Sequence, residues 1–276
     1  MEPGSRWFVY EADEFDRNFL SFKPRLSLIA GIDHDHPEVF PTMEDYTDAF
    51  RRFVDQSEQV VIGRHDAEVL YPERNWLARV ETPQTKPPPA GLKLAGEVNR
   101  QNATLALAGG RAVLPDAKEE ELIAALNRFP GSWRRFEELS AGLYTDYAHN
   151  PVKIAGCLQR AEELGKPVVV VYEPHSNQRQ HLVKDQYRDL FKNVKRLYWL
   201  PTFLTREDPE LPVLNPADFI KTLSNRQIAS PAKMNRELRT AIERELAAGS
   251  IVVGMSASGL DGWLRENLGD KARLKF

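Results

Sequence analysis

The sequence predicts an α/β protein built on largely parallel sheets, with two domains that meet near residues 128–132. Three observations predict it. Runs rich in β-branched and aromatic residues alternate with runs of helical period along the chain. PVVVVYEP (Pro167–Pro174) is apolar at consecutive positions, as in a strand covered on both faces of a parallel sheet. RFPGSWRRF (Arg128–Phe136) breaks the alternation with a Pro-Gly pair, and a second, cleaner βα series follows it.

In order, WFVYEA (Trp7–Ala12) and RLSLIAGI (Arg25–Ile32) read as buried strands. Thr42–Ser57 reads as a helix, capped by Thr42 with Asp45 three residues on and carrying Tyr46, Ala49, Phe50 and Phe53 on one face. QVVIG (Gln59–Gly63) is a short strand. From Glu68 to Leu94 the pattern loosens around the proline-rich Thr82–Gly91, where a small antiparallel excursion is expected. Asn99–Gly110 and Pro115–Phe129 read as two helices. The second series runs strand Gly142–Ala148, helix Pro151–Gly165, strand Pro167–Pro174, helix Asp185–Val194 and strand Arg196–Pro201. Helices Asn215–Leu223 and Asn235–Gly249, strand Ser250–Ser258 and helix Leu260–Asn267 complete it.

A chain of 276 residues fits one or two domains. Apolar residues at 42% supply a core, and a net charge of −3 gives no basic excess pointing to nucleic acid. One cysteine excludes an internal disulfide and fits a reducing cytoplasm. That residue, Cys157, lies on the apolar stripe of a helix with Ile154, Leu158, Ala161 and Leu164, and reads as a buried structural thiol. No apolar run approaches the ~20 residues that span a bilayer. The N-terminus lacks the basic start and apolar stretch of a signal peptide.

Five clusters carry chemistry, each at a strand end or turn. EADEFDRNF (Glu11–Phe19) gathers acids that would suit Mg²⁺; its plain alternative is a solvated loop. GIDHDHPEVF (Gly31–Phe40) alternates Asp and His, and one of its histidines positioning a substrate or phosphate fits better than a dinuclear metal centre. Asn99 and Asn102 stand three apart at a helix start, on one face, able to read a purine edge or merely to cap. Arg134 and Arg135 follow the interdomain turn and suit phosphate. DYAHNP (Asp146–Pro151) brings an acid, an imidazole and an amide to the entrance of a helix, where α/β proteins place ligands.

The order of these clusters resembles the Mur ligases, the ATP-dependent amino-acid ligases that build the peptidoglycan stem peptide. The likeness runs from about Phe8 to Leu268. The stretches Glu11–Phe40 and Phe129–Leu139 resemble the branch acting on UDP-N-acetylmuramate, which contains the L-alanine-adding ligase and the murein-tripeptide recycling ligase. After the strand Pro167–Glu173 the former carries Pro-His-Arg…Arg and the latter Pro-Arg-Ser-Asn. EPHSNQRQ (Glu173–Gln180) shares features of both, so the amino substrate stays open.

The resemblance implies an incomplete central ATPase-type sheet domain over residues 1–128 and a Rossmann-like C-terminal α/β domain over 129–276. It implies ATP and Mg²⁺, with UDP-N-acetylmuramate and L-alanine or a murein peptide as partners, and neither nucleic acid nor membrane. Residue by residue, it gives Glu11 and His36 to the metal and γ-phosphate, and Asn99 and Asn102 to adenine, with Val98 where a His is usual. Arg135 would reach the nucleotide, and Asp146 would take the ribose or orient ATP. His149, Asn150, His175 and Arg179 would face the amino substrate, Arg179 its carboxylate. The implied reaction phosphorylates the muramyl carboxylate, and the incoming amine then displaces phosphate from the acyl phosphate. Positioning and cationic stabilisation carry such chemistry, which suits carboxylates, arginines and amides. On this reading Asp146→Ala lowers turnover far more than stability.

The family's phosphate-binding loop, ending Gly-Lys-Ser/Thr, has no counterpart here. The one Gly-Lys pair, Gly165–Lys166, precedes Pro167. The family's UDP-gripping N-terminal domain has no counterpart either. The chain is therefore expected to be inactive alone and completed by the N-terminal part of a ligase, in cis or in trans. The alternatives are half of a split ligase, or a non-catalytic nucleotide- or peptide-binding module. A dehydrogenase reading fails for want of a G-x-G-x-x-G turn.

Overall fold

The computed structural model describes residues 6–36, 38–73, 79–84, 86–205 and 207–270. The chain packs into two compact units, residues 1–94 with 98–128, and residues 95–97 with 129–276.

The first unit is a parallel three-stranded sheet, β1 (Leu26–Ile29), β2 (Gln59–Ile62) and β3 (Val80–Glu81), in that order. Alternation along β2 divides its side chains between two layers. Val60 and Ile62 face α1 (Met43–Gln56) and α2 (Arg64–Leu70), packed with Phe50, Phe53, Ala67 and Leu70. Val61 faces α3 (Glu97–Val113) through Leu105 and Ala108, and α4 (Glu119–Asn127) follows. The cap predicted for α1 forms: Thr42 Oγ1 accepts from Asp45 N at 3.1 Å, and the Asp45 carboxylate accepts from Thr42 N at 3.2 Å.

Two expectations change here. Trp7–Ala12 is not a strand; Phe8 and Val9 are exposed, and no described segment pairs with it. An apolar run becomes a strand only where a ladder partner exists. The excursion after Glu68 is parallel through β3 and preceded by α2, although its residues 74–78 and 85 lie outside those described.

The second unit is a six-stranded sheet in the order β4-β5-β9-β6-β7-β8. Its strands are β4 (Glu137–Ser140), β5 (Leu143–Asp146), β6 (Val168–Glu173), β7 (Arg196–Trp199), β8 (Ala229–Pro231) and β9 (Ile251–Ser256). All neighbours run parallel except β4 against β5. Odd and even positions of β6 go to opposite layers. Val168, Val170 and Tyr172 pack on α5 (Pro151–Glu162) and on α7 (Pro216–Ile220) with the preceding turns. Val169 and Val171 pack on α8 (Arg236–Ala247) and α9 (Leu260–Leu268). Helices therefore cover both faces, as the continuous apolar run of β6 required. The chain passes from β5 to β6 and later returns to insert β9 between them. That brings the carboxyl ends of β5, β9 and β6 side by side, where open α/β sheets bind ligands.

The helix expected over Asp185–Val194 is a single 3₁₀ turn (Lys184–Tyr187) followed by turns, and α6 (Asn177–Val183) comes earlier. Tyr187 and Phe191 are buried in the core from those turns. The edge strands β4 and β8 escaped the pattern, since EELS is mostly polar and ASP ends in proline.

Candidate functional site

At the end of β5 the Asp146 carboxylate binds two backbone amides, Phe136 N at 2.7 Å and Ala148 N at 2.8 Å. It is only 9% exposed. Burial raises its carboxyl above the ordinary value, opposed by the two amides, by Arg135 and by the Cys157 thiol. Cys157 is buried as expected, its thiol pushed well up by burial beside Asp146, so it is a poor nucleophile.

The two arginines of the turn part company. Positive φ at Arg134 (55°) and Phe136 (48°) kinks the backbone on either side of Arg135. Arg134 goes inward: Nη2 donates to Ser256 O at 2.6 Å, and Nε lies 3.7 Å from Asp261. Asp261 also accepts from Thr145 at 2.9 Å and from Arg265, which binds Glu137 through both nitrogens at 3.0 and 2.6 Å. Arg135 stays exposed, its guanidinium 5.3 Å from the Tyr147 ring.

His149 is buried, with Nδ1 2.9 Å from Tyr147 O and its ring 6.0 Å from that of His175. A carbonyl beside Nδ1 makes that nitrogen the donor. Asn150 caps α5, accepting from Lys153 N at 2.9 Å ahead of Pro151. His175 stacks on Phe203 at 5.8 Å, and Arg179 sits half-buried on α6. The start of α6 is held by Glu207, whose carboxylate accepts from Asn177 N and Gln178 N at 3.0 Å and from Thr205 N at 2.8 Å.

In the first unit Glu11 is exposed, and the His36 ring nitrogens lie 3.8 Å from Glu14 and 3.5 Å from Glu38. Among the described residues no three His, Cys, Asp or Glu side chains gather to enclose a metal. Carboxylate oxygens still suit Mg²⁺, which takes one or two of them and fills its octahedron with water and phosphate. His34 is engaged with Phe40 O at 2.8 Å. Asn99 and Asn102 are exposed on one face of α3, as their spacing predicts.

Sequence reading missed Glu173, Glu207, Asp261 and Arg265. Glu173 left a signal, since an acid that ends a run of four valines and a tyrosine must be buried for a reason. The other three sit on amphipathic or loop segments where charge is ordinary.

No protein-family model matches the chain. Over 257 aligned residues it is 26% identical to the UDP-N-acetylmuramate–L-alanine ligase of Lactobacillus acidophilus, covering 81% of this chain and 58% of that protein. The solved UDP-N-acetylmuramate–alanine ligase of Thermotoga maritima matches with a TM-score of 0.64 at 20% identity, over 94% of this chain and 62% of that one. A murein peptide ligase from Psychrobacter arcticus matches with a TM-score of 0.57 at 16% identity, over 91% and 58%. The chain thus spans somewhat more than half the length of the curated relatives it matches. It is a relative of the Mur ligases, similar in sequence to their UDP-N-acetylmuramate–L-alanine ligases and like them in fold.

Proposed function

We propose that the chain is the C-terminal portion of an ATP-dependent ligase of peptidoglycan precursor synthesis or recycling, working in the cytoplasm. It joins L-alanine, or a murein peptide, to UDP-N-acetylmuramate through an acyl phosphate. The observation that carries this reading is the convergence at the carboxyl end of β5: exposed Arg135 beside Tyr147, with buried Asp146 held by two amides. Beyond its two amide bonds and the Cys157 thiol, the Asp146 carboxylate keeps one lone pair to accept a ribose hydroxyl. Arg135 supplies the planar charge suited to a nucleotide phosphate. His149, Asn150, His175 and Arg179 border the amino substrate. In the first unit, residues 1–128 form the partial ATP-binding domain, with Asn99 and Asn102 toward adenine. Glu11 and His36, with Glu14, would hold Mg²⁺, which neutralises phosphate charge when bound.

The sequence holds no Gly-Lys-Ser/Thr loop, which favours one particular form of the reading. The phosphate cradle and the UDP-binding domain then come from other polypeptide, in cis or as the second half of a split ligase. The experiment titrates the chain with ATP and Mg²⁺ by calorimetry. It then supplies the N-terminal half of the Thermotoga maritima enzyme, with UDP-N-acetylmuramate and L-alanine, and follows product by mass spectrometry. Nucleotide binding weakened by Arg135→Ala, with product only in the mixture, is the expected result. Binding without product would leave a non-catalytic nucleotide module; neither binding nor product would end the proposal.

A further inference from the structure

Three polar side chains lie inside the aromatic core of the second unit. Tyr172 on β6, Tyr187 on the 3₁₀ turn after α6, and Gln180 on α6 are all buried, the tyrosines among Phe191, Trp199 and Phe219. Phenylalanine would fill either tyrosine's place in such a core, where a hydroxyl is costly unless it is bonded. These hydroxyls are bonded, and in a line. Tyr172 Oη donates to His149 O at 3.0 Å and stands 2.9 Å from Tyr187 Oη. Tyr187 Oη donates to Gln180 Oε1 at 2.8 Å, and Gln180 Nε2 donates to His175 O at 3.1 Å.

The line ends on the main-chain carbonyls of His149 and His175, whose rings lie 6.0 Å apart. Both residues lie in the turns that follow β5 and β6, outside the helices and the named strands, and His175 reaches regular structure through one bridge to Phe203. The turn after His175 is strained as well. Ser176 takes φ 59°, a left-handed conformation that a residue with a Cβ keeps only where its surroundings fix it. Gln180 grips that turn twice, its N–H donating to Ser176 O at 3.1 Å and its side chain to His175 O. A hydroxyl has a single hydrogen, so Tyr172 serves the His149 end and Tyr187 the Gln180 end.

We infer that Tyr172, Tyr187 and Gln180 are positioning residues, which hold His149 and His175 from inside the core so that the two imidazoles stand as a pair at the carboxyl edge of the sheet. The inference rests on the reading that these histidines border the amino substrate, and it adds what keeps that border in shape. Side chains carried on turns are precise only where buried bonds lock the backbone beneath them. A displacement of about 1 Å at such a border can cost about a hundredfold in rate. The three residues themselves meet no substrate; they act through the two carbonyls.

The test follows the histidine ring resonances of the full chain by heteronuclear NMR. Because each end has its own donor, the effects should separate. Tyr172→Phe keeps the ring and should shift the His149 resonances while those of His175 stay in place. Gln180→Met keeps the length of the side chain and should do the reverse, with His65 of the first unit unmoved in both. A residue that merely fills the core would lower the melting temperature without choosing a histidine. Rings that stay in place in a folded variant, or that shift together whichever end is cut, would overturn the inference; should Tyr172→Phe not fold, Gln180→Met decides by whether His175 moves without His149. Activity is read in the mixture with the N-terminal half of the Thermotoga maritima enzyme. There each variant should raise the KM for the amino substrate at least about fivefold and leave that for UDP-N-acetylmuramate within about twofold, whereas loss of folded protein would lower kcat alone. Equal change in both KM values would overturn a role at the amino substrate. A wild-type mixture that makes no product would count against the ligase reading, and the ring shifts would still decide the positioning.

Discussion

The resemblance to the Mur ligases implies that Asp146 is a ligand residue whose loss costs turnover and little stability; the structure shows that its oxygens hold the amides of Phe136 and Ala148. Asp146→Ala orphans both, at about 1–3 kcal/mol each, so it should lower unfolding free energy by about 2–6 kcal/mol in urea denaturation. Asp146→Asn keeps one acceptor and should lose less than half as much. Acidity reads out the neighbouring network. Arg265 holds the Glu137 carboxyl below its ordinary 4.5, so its contribution is complete above that value and is lost as pH falls through the lowered one. Asp146, raised by burial above 3.8, has the opposite sign: its contribution is complete below 3.8 and is lost as pH rises through the raised value. Because the two signs oppose, a variant isolates Glu137: on the acid side of about 4.5 the melting temperature of the wild-type chain should fall relative to Glu137→Gln, and parallel acid limbs would remove Arg265–Glu137 from the account.

At the scale of elements, α6 depends on a residue thirty positions away. Glu207 takes two amides at its start and one at Thr205, while Asn177 donates to Pro212 O at 3.1 Å and accepts from Leu214 N at 2.9 Å. These bonds fasten Thr205, Glu207, Pro212 and Leu214 to the helix that carries Arg179 or to one another. A seven-residue helix is too short to be stable alone, so its tertiary cap decides its order. Glu207→Ala should speed hydrogen exchange at the amides of Asn177, Gln178 and Thr205, leaving β6 protected; uniform exchange across the unit would argue against a local clamp.

At the scale of the whole molecule, the first unit leaves apolar surface uncovered. Among the described residues β1 pairs on one edge only, and Phe8, Val9, Phe22 and Leu28 are all at least 45% exposed. The Tyr10 ring lies 4.6 Å from that of Phe22 and 6.2 Å from that of Phe8, so it joins those two exposed rings in one patch. A free parallel edge beside an aromatic patch invites pairing. Sedimentation velocity of the chain alone should show association that rises with concentration, reduced by Val9→Lys; a monomer across the range would mean that the edge is protected.

Where periodicity or cap chemistry is local, the sequence determined the outcome. The valine run of β6, the Thr42–Asp45 cap of α1 and the Asn150–Pro151 start of α5 were legible because each follows from residues within one turn or strand. So was the position of DYAHNP at a strand end and helix entrance, because Asn150 and Pro151 are local signals for a helix start. Tertiary structure alone decided which arginine of the pair turns inward, because the kinks at Arg134 and Phe136 answer to Asp261 and Arg265, more than a hundred residues on. It alone decided that Trp7–Ala12 is no strand, since pairing requires a neighbour. And it alone showed that the buried Glu173 carboxylate answers to Ser256 and Leu260, because the cost of a charge depends on what surrounds it and not on which residue bears it.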